Sequence, residues 1–369
     1  MMTEKVEPSP PDHVHLGDSM QALVYEAPRT MNMQTLDTPK PGPHDAVIAV
    51  EYSGICGSEL SGFVGESSIR QAPLVFGHEV SGTIAALGNE AAAMGDLRVG
   101  QAVTANPLVS CGHCDYCIRG RFQLCPNRLL LGASLPGSNA EFVGVPARSV
   151  LVLPENMDLA RAATVEPIAF ALHAVEVSSV TPSMSALVIG AGAIGLFILQ
   201  VLAASGVENR FVVERNRDRR ALAEAMGCVA LEPGDSSLAD AVQGATRGSG
   251  VDVAFDAVGS PVTRRDCLLA LRPGGTLVLV GLHSDETSLP LNLAVRNELT
   301  IAGAFAYSPA HFRQGLQWLA EGRVGLRDGV VIDALQNGQS WFERLVSGDP
   351  AAKVLLRPGK LHSAASSNR

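Results

Sequence analysis

Four cysteines lie within fifteen residues of this chain, with the spacing C-x2-C-x2-C-x7-C: Cys111, Cys114, Cys117 and Cys125. Four thiolates can close a tetrahedron around a zinc ion, and such a closed site stabilises a loop without catalysing a reaction. An iron–sulfur cluster is the alternative, because C-x2-C-x2-C also occurs in ferredoxins, but the longer gap before the fourth cysteine fits that cluster less well. The spacing therefore predicts a structural zinc site.

A second set of possible metal ligands lies in stretches far apart along the chain: Cys56, His78, Glu79 and Glu166. Any one of them alone is more often an ordinary packing residue than a ligand. Together they supply sulfur, nitrogen and oxygen donors, which a catalytic zinc accepts while it keeps one position open for substrate or water. The glycines beside them permit the tight turns that such a site needs. This set predicts a second, open metal site.

The run from Gly190 to Gly195 has the pattern G-x-G-x-x-G, between a predicted strand at Ala186–Ile189 and a predicted helix at Leu196–Ala204. The first glycine allows a tight turn, the second lets a pyrophosphate approach the backbone, and the third lets the helix pack closely on the strand. The helix N-terminus supplies partial positive charge for phosphate. The run therefore predicts a dinucleotide site with these contacts: Gly190, Gly192, Ala193, Ile194 and Gly195.

Glu214 ends the next predicted strand, nineteen residues after Gly195. A carboxylate at this place would accept hydrogen bonds from the ribose hydroxyls of an adenosine and would repel a 2′-phosphate. It therefore predicts NAD as the cofactor. Arg215 could instead hold a 2′-phosphate, so NADP is the less favoured alternative.

The elements that must position these residues change in character along the chain. From Met20 to about Pro154, short apolar runs are broken by Gly, Pro and Asn, which predicts a β-rich unit. A helix is predicted at Pro167–Val177, and beyond it strands alternate with helices, which indicates a parallel sheet. The later predicted strands are Phe211–Val213, Val251–Phe255, Thr276–Val280 and Leu299–Ala304, and the later helices are Asp218–Met226, Thr263–Leu271 and His311–Ala320.

Length and composition limit the class of protein. A chain of 369 residues with 46% hydrophobic and 18% charged residues favours two folded domains and excludes a largely disordered protein. The formal charge of −9 argues against a basic surface for nucleic acid, and no apolar run is long enough for a membrane span. Seven cysteines without a signal-peptide pattern predict a cytoplasmic protein.

Taken together, the motifs resemble the zinc-dependent medium-chain dehydrogenase/reductase (alcohol dehydrogenase) family from about Met20 to Leu356. Glu166-Pro167, followed by Ala171-Leu-His-Ala174, is most similar to the sorbitol, butanediol and threonine dehydrogenase branch. The resemblance implies an α/β protein with a GroES-like β-rich catalytic domain (20–166) and a Rossmann doubly wound parallel-sheet domain (167–307). Residues 308–369 would return to the catalytic domain, and residues 1–19 are expected to be a disordered leader.

The resemblance also implies roles for particular residues. Cys56 and His78 would be direct ligands of a catalytic zinc, with Glu79 or Glu166 as the third ligand, and the Ser58 hydroxyl would relay a proton. Each chain would bind two zinc ions, one catalytic and one in the four-cysteine site. Cofactor contacts are implied at the adenosine and nicotinamide sides: Arg219, Val280, Gly281, Leu282, Ala304, Phe305 and Ala306.

Four positions depart from the family pattern. Ser61 replaces the histidine that usually ends the proton relay, and Glu59 replaces the aspartate that orients the zinc-binding histidine. Gly62 and Ala306 replace a tyrosine and an arginine of sorbitol dehydrogenases, so we expect a roomier and less polar pocket at both positions. A bulky or cyclic secondary alcohol is therefore favoured over sorbitol.

The predicted function is hydride transfer between a secondary alcohol or polyol and NAD by a zinc-dependent oxidoreductase. The alternatives are an NADP-preferring carbonyl reductase on the same scaffold and a zinc- and nucleotide-binding protein without turnover. The partner is a small alcohol or ketone, and a homodimer or homotetramer is implied, with Leu299–Ala304 as the edge strand that pairs between subunits. His173, Cys228 and Cys267 are interpreted as packing residues.

Overall fold

A computed structural model of the chain describes residues 16–231, 238–326 and 328–359. The strands are β1 (Ser19–Ala27), β2 (Thr30–Asp37), β3 (Asp45–Gly54), β4 (Leu74–Val75), β5 (Glu79–Leu87), β6 (Ala102–Ala105), β7 (Leu108–Val109), β8 (Leu129–Leu130), β9 (Phe142–Pro146), β10 (Val150–Val152), β11 (Ser185–Ile189), β12 (Asn209–Val213), β13 (Val229–Leu231), β14 (Val251–Asp256), β15 (Leu271–Leu279), β16 (Thr300–Gly303), β17 (Val330–Ala334) and β18 (Lys353–Arg357). The helices are α1 (Gly57–Phe63), α2 (Asn89–Ala93), α3 (Asp115–Ile118), α4 (Leu159–Ala162), α5 (Val165–Ser178), α6 (Ala193–Ala204), α7 (Arg217–Ala225), α8 (Leu238–Ala245), α9 (Pro261–Ala270), α10 (Leu291–Arg296), α11 (Pro309–Ala320) and α12 (Gly338–Val346). Most of the expected leader, residues 1–15, lies outside the described residues, and β1 begins at Ser19.

A mixed sheet forms the first half of the fold, in the order β10-β6-β5-β3-β18-β17, and β9 also pairs with β3. Its strands are rich in β-branched residues, which pack well on a pleated surface. Ile48, Val80 and Ile84 are fully buried between its strands.

The end of the chain returns to this sheet. β18 pairs antiparallel with β3, with Leu355 opposite Gly54, and β17 pairs with β18. The helix α11, which precedes these strands, packs instead on α5, where Phe312 and Leu316 join the same buried cluster as Ile168 and Leu172. The C-terminal segment therefore contacts both halves of the molecule.

A parallel sheet forms the second half, in the order β13-β12-β11-β14-β15-β16. Numbered within the sheet, this order is 3-2-1-4-5-6, which is the order of the Rossmann fold. Helix α6 is apolar around most of its circumference and is buried against the sheet. The predicted combination of a β-rich half and a doubly wound parallel sheet is confirmed.

The ends of several elements differ from the predicted ones by a few residues. Helix α9 begins at Pro261, before the predicted start at Thr263, because the Ser260 side chain accepts from the backbone N–H of Thr263 and proline suits the first helical turn. Strand β15 begins at Leu271, five residues before the predicted start at Thr276.

Among the described residues, every helix is too short or too polar to cross a membrane.

Candidate active site

The pairing of β3 with β5 brings the first three candidate ligands together. Gly54 at the end of β3 lies opposite Glu79 at the start of β5, and the chain continues from Gly54 into Cys56, which caps the N-terminus of α1. Cys56, His78 and Glu79 each offer one donor atom, and these atoms lie within 4.8 Å of one another. A Cβ at position 54 would lie 2.1 Å from Glu79 Oε2, so glycine at this position leaves room for the carboxylate.

Glu59 holds the imidazole of His78 in place from helix α1. Its Oε1 accepts from His78 Nδ1 at 2.6 Å and from the backbone N–H of Gly77 at 3.0 Å, while its Oε2 accepts from the backbone N–H of Cys56 at 3.3 Å. The contact expected for aspartate in the family is thus made by the longer glutamate. Because Nδ1 donates to Glu59, Nε2 is left as the donor atom for a metal.

The surroundings of Glu59 keep its carboxylate ionised. Burial opposes the ionisation of Glu59, but its attraction to His78 and to Arg70 outweighs burial and lowers its pKa. Glu59 is completely buried. The carboxylate therefore stays anionic and remains an acceptor for the imidazole N–H.

Lys353 is a member of the site that the sequence analysis missed. This lysine is buried in β18, forms an ion pair with the carboxylate of Glu79 and donates to the carbonyl of Ile55 at 3.0 Å. A buried lysine without a partner is strongly unfavourable. The available signal was Lys353 itself, a charged residue at the start of a strand whose next three residues, Val354–Leu356, are apolar.

Glu166 lies close to the three grouped donors but is not one of them. It stands in the first turn of α5, and burial raises its pKa to about 7 while the charge of His78 and a hydrogen bond with Tyr307 act in the opposite direction. Tyr307 is buried and was not singled out from the sequence as a site residue. Among the described residues, the group with donor atoms within 4.8 Å contains Glu79 rather than Glu166.

Ser58 is held by an arginine that the sequence analysis also missed. The Ser58 hydroxyl donates to Cys56 Sγ at 3.5 Å and accepts from Arg70 Nη2 at 3.1 Å. Arg70 is buried, and its other nitrogens donate to the carbonyls of Ser58 and Gly132, each at 3.1 Å. The guanidinium thereby fixes both the backbone and the hydroxyl of Ser58.

The expectation of a roomier pocket at Gly62 is wrong. Gly62 is buried, and a Cβ at this position would lie 2.6 Å from Arg70 Cδ and 3.2 Å from Phe76 Cζ. The volume that a tyrosine would need is filled by the stem of Arg70. At Ala306, the second such position, the backbone is in the left-handed region with φ of 47°.

The four cysteines of the first motif lie together in a loop around α3. Cys111 Sγ is 3.5 Å from Cys125 Sγ and 4.0 Å from Cys117 Sγ, and all four sulfur atoms lie within 4.8 Å of one another. Tetrahedral zinc with bonds of about 2.3 Å requires sulfur separations of about 3.8 Å. Backbone N–H groups, that of His113 first, lower the pKa of Cys111 to about 6, and His113 itself is exposed. The donor set therefore fits a structural zinc.

The three glycines after β11 have the distinct surroundings that a dinucleotide turn requires. Gly190 has a φ of +97°, which only glycine adopts without strain, and a Cβ on Gly195 would lie 1.8 Å from the carbonyl oxygen of Gly190. Around Gly192 the space is open, with no atom within 4 Å of a built Cβ. Ala193 and Ile194 form the first turn of α6, so its free N–H groups face that open space. This cradle fits a pyrophosphate.

The remaining cofactor residues lie at the carboxyl ends of the parallel strands. Glu214 follows β12, and its carboxylate accepts from the backbone N–H groups of Ala191 and Asn216, each at 2.8 Å. Arg215 is exposed, whereas Arg219 donates to the carbonyls of Asp349 and Pro350 at 2.7 and 3.2 Å. Stacking of Arg219 on an adenosine stays a prediction.

The segments after β15 and β16 differ in exposure. Val280 and Ala304 are buried, while Leu282 and Phe305 are 77% and 42% exposed. Gly281 packs against Gly259, because a Cβ on Gly281 would lie 2.3 Å from the Gly259 nitrogen. The guanidinium of Arg128, from the four-cysteine loop, lies 4.9 Å from the ring centre of Phe305. Val280–Leu282 and Ala304–Ala306 thus follow neighbouring strands of the sheet.

A dinucleotide cradle in one half and a cysteine–histidine–glutamate group in the other define a nicotinamide-dependent, metal-assisted dehydrogenase. Two family models match the chain: alcohol dehydrogenase GroES-like domain over residues 42–155 and zinc-binding dehydrogenase over residues 193–321. The chain belongs to the zinc-dependent medium-chain dehydrogenase/reductase (alcohol dehydrogenase) family. It is an enzyme that acts on alcohols.

Individual relatives agree with this assignment. D-xylulose reductase A from Aspergillus oryzae is 31% identical over 83% of this chain and 87% of its own. Sorbitol dehydrogenase from Bacillus subtilis is 29% identical over 93% and 98%. The structure of 2R,3R-butanediol dehydrogenase from Bacillus subtilis covers 92% of this chain and all of its own, with a TM-score of 0.84 and 28% identity. A zinc-binding dehydrogenase from Sinorhizobium meliloti 1021, bound to NADP, covers 93% and 100%, with a TM-score of 0.85 and 27% identity.

Proposed function

We propose that this enzyme catalyses the reversible oxidation of a secondary alcohol or polyol with NAD, and that each chain holds one catalytic and one structural zinc ion. The observation that carries the proposal is the group of one sulfur, one nitrogen and one oxygen donor within 4.8 Å, of which His78 and Glu79 are buried and Cys56 is partly buried. Three protein ligands leave one position of a zinc ion open, which is the arrangement of catalytic rather than structural zinc.

Cys56, His78 and Glu79 would hold the catalytic ion, and Cys111, Cys114, Cys117 and Cys125 the structural one. A bound zinc ion lowers the pKa of a substrate hydroxyl and stabilises the negative charge that develops on its oxygen. Lys353 neutralises Glu79, so the buried carboxylate keeps a fixed position whether or not it contacts the metal. Glu166, held by Tyr307, lies next to this group as a further carboxylate in the pocket.

Ser58 is the proposed acceptor of the substrate proton, at Oγ. Its hydroxyl lies 3.5 Å from Cys56 Sγ and would therefore be near an ion that Cys56 holds. The family's histidine is Ser61 here, and the guanidinium of Arg70 cannot take up a proton. Ser58 is exposed, so the proton passes from Ser58 to water.

Arg70 has a positioning role for Ser58, and its replacement tests this role. Arg70→Met should lower kcat about tenfold, and Ser58→Ala about a hundredfold, because a correctly placed relay contributes about two or more orders of magnitude. In the Ser58→Ala background, Arg70→Met should have no further effect on kcat. A purely structural arginine would lower kcat equally in both backgrounds, which would contradict the assignment.

The preference for NAD follows from the charge at the end of β12. The Glu214 carboxylate is fixed by two backbone N–H groups next to Ala191, in the turn that receives the pyrophosphate. A fixed anion at this place attracts ribose hydroxyls and repels a 2′-phosphate. The exposed Arg215 favours the second candidate, an NADP-dependent carbonyl reductase on the same scaffold. We propose NAD because hydrogen bonds hold the Glu214 carboxylate in place, whereas the Arg215 side chain is exposed.

The substrate class is proposed from the relatives and from one position of the pocket. Relatives named for xylulose, sorbitol and butanediol favour a substrate with neighbouring hydroxyl groups. Ala306 replaces the arginine that sorbitol dehydrogenases carry, which removes a polar contact with the substrate. The preference for a bulky or cyclic secondary alcohol is therefore supported by Ala306 alone, because Arg70 fills the space beside Gly62.

The assembly and the location complete the proposal. Strand β16 pairs with β15, and Thr300, Ile301 and Gly303 are exposed along it. An open edge of this kind suits pairing with a second copy, so we propose a homodimer or homotetramer. We also propose a cytoplasmic location, because none of the cysteines in the described chain forms a disulfide.

The absorbance of reduced cofactor tests the proposed reaction directly. Purified enzyme, before and after chelation, is mixed with NAD⁺ or NADP⁺ and with linear polyols, cyclic polyols, vicinal diols and threonine. We expect reduction of NAD⁺ by one alcohol class, its loss on chelation and its recovery when zinc is added back. Turnover mainly with NADP⁺ would overturn the role of Glu214. If no compound of the panel reduces either cofactor, in protein that holds both zinc ions, the proposed substrate class is wrong.

A further inference from the structure

Two histidines and a glutamate form a cluster outside the active site, between helices α5 and α11. His173 and Glu176 lie one turn apart on α5, and His311 lies in the first turn of α11. His311 Nε2 is 2.5 Å from Glu176 Oε2, His173 Nδ1 is 3.8 Å from the same oxygen, and the two rings meet edge to face at 5.0 Å. The three donor atoms lie within 4.8 Å of one another.

One donor of this cluster has no partner in the fold. His173 Nδ1 is buried and makes no hydrogen bond. The side chain is only 12% exposed, and burial lowers the pKa of His173, with the charges of His311 and Arg121 acting in the same direction. The ring is therefore neutral near pH 7 and carries a free lone pair, the form in which imidazole binds metals. The interpretation of His173 as a packing residue does not explain why its Nδ1 is buried without a hydrogen bond.

The second histidine is held at its Nδ1 by Ser308, whose backbone N–H donates to this nitrogen at 3.2 Å. His311 Nδ1 lies 2.8 Å from the Ser308 hydroxyl, within the capping arrangement that begins α11. Without an ion, Nε2 therefore carries the ring proton and donates to Glu176 Oε2. Metal binding at Nε2 would move this proton to Nδ1, from which the Ser308 hydroxyl can accept it. The Glu176 side chain is 67% exposed, so its carboxylate can adjust and water can reach the fourth position.

We propose that His173, Glu176 and His311 form a metal site, separate from the two described above, that takes zinc or another divalent transition-metal ion. Two imidazoles and one carboxylate suit such ions and not calcium or magnesium. Tetrahedral bonds of about 2.0–2.1 Å need donor separations of about 3.3 Å, so the widest pair must close by about 1.5 Å at most, while His311 Nε2 and Glu176 Oε2 must move apart by about 0.8 Å. Small rotations of exposed Glu176 and of the two rings supply this movement.

The ion would join the two helices that carry the buried partners of the active site. Glu166 lies at the start of α5, and Tyr307 immediately precedes α11. A metal that binds only the folded chain raises its stability in proportion to the logarithm of the metal concentration. The site therefore acts as a clamp on the α5–α11 pair and has no direct role in hydride transfer.

Titration of the zinc-loaded holoenzyme with additional zinc, followed by calorimetry, tests the proposal. Wild type should bind one further ion per chain, and His173→Gln and His311→Gln should bind it at least tenfold more weakly. His283→Gln is the matched control, since His283 is exposed and lies outside the cluster, and it should behave as wild type. The unfolding temperature should rise with added zinc in wild type and in the control, and not in the other two variants.

The outcomes separate this site from the catalytic and structural ions. All four proteins should keep the two zinc ions already bound and the same turnover, which shows that the variants fold. Equal zinc binding by wild type and all three variants would overturn the proposal, as would the absence of a further ion in wild type. Glu176→Gln provides a second route, because it leaves both histidines and should still weaken the binding of the further ion.

Discussion

Replacing Cys56 with alanine is expected to lower kcat/KM by about four orders of magnitude while the fold and cofactor binding persist. A metal that stabilises charge on the reacting oxygen contributes several kcal/mol to the barrier, and about 5.5 kcal/mol corresponds to about 10⁴ in rate. Cys56 is only partly buried and its sulfur contacts the Ser58 hydroxyl, so its removal leaves little packing to lose. Steady-state kinetics measure kcat/KM, a fluorescence titration with NADH measures cofactor binding, and a metal count measures the zinc bound per chain.

The metal count makes this result specific. Cys56→Ala should lose one zinc ion per chain and keep the ion of the four-cysteine loop. Cys228→Ala is the matched control, because Cys228 is a buried cysteine of the parallel-sheet half, away from both metal groups. That variant should keep both ions and full turnover. A Cys56→Ala enzyme with wild-type activity would contradict the assignment of the catalytic site.

Alanine at Gly195 and alanine at Gly192 should have opposite consequences for stability and for cofactor binding. At Gly195 a Cβ would lie 1.8 Å from the backbone carbonyl oxygen of Gly190, which no side-chain rotation relieves. We expect the free energy of unfolding to fall by about 3 kcal/mol. At Gly192 a Cβ meets nothing, so the stability should change by less than about 1 kcal/mol.

Cofactor binding should instead respond to Gly192→Ala. The methyl group would stand where a pyrophosphate approaches the N-terminus of α6, and losing one backbone hydrogen bond of about 1.4 kcal/mol raises the KM for NAD⁺ about tenfold. Denaturant unfolding and initial-rate kinetics separate the two effects. Gly244→Ala, at an exposed glycine with open space, is the control and should leave the KM unchanged. A destabilised Gly192→Ala enzyme with a normal KM for NAD⁺ would contradict the assignment of Gly192 to the pyrophosphate site.

The parts of the site that sequence reasoning anticipates are those whose chemistry depends on local spacing. The four cysteines lie within fifteen residues, and the glycine run joins one strand to the next helix, so neighbouring residues bring them together. The presence of a parallel sheet follows in the same way from alternating strands and helices, whereas its doubly wound form was implied by the family resemblance. The ends of elements such as α9 and β15 were not predictable to the residue.

The parts that escaped prediction depend on contacts between distant residues. Lys353 meets Glu79 across 274 positions, because β18 pairs with β3, and nothing in either segment alone encodes that pairing. The prediction at Gly62 failed for a related reason. A missing side chain was taken as empty space, whereas Arg70, from the loop that follows α1, occupies it. Sequence shows which volume is lost at a position but not which neighbour replaces it.

The place of Lys353 in the chain has a consequence for synthesis. Glu79 leaves the ribosome long before its cationic partner, and β3 leaves before the strand β18 that pairs with it. Until β18 emerges, the nascent first half has a buried-site carboxylate without a counter-charge and an unpaired strand edge, both of which disfavour compaction. The parallel-sheet half, whose strands β11–β16 all precede Lys353, can fold earlier. Folding of the metal-binding half is thereby coupled to the synthesis of β18, and a product interrupted before β18 lacks the partner of Glu79.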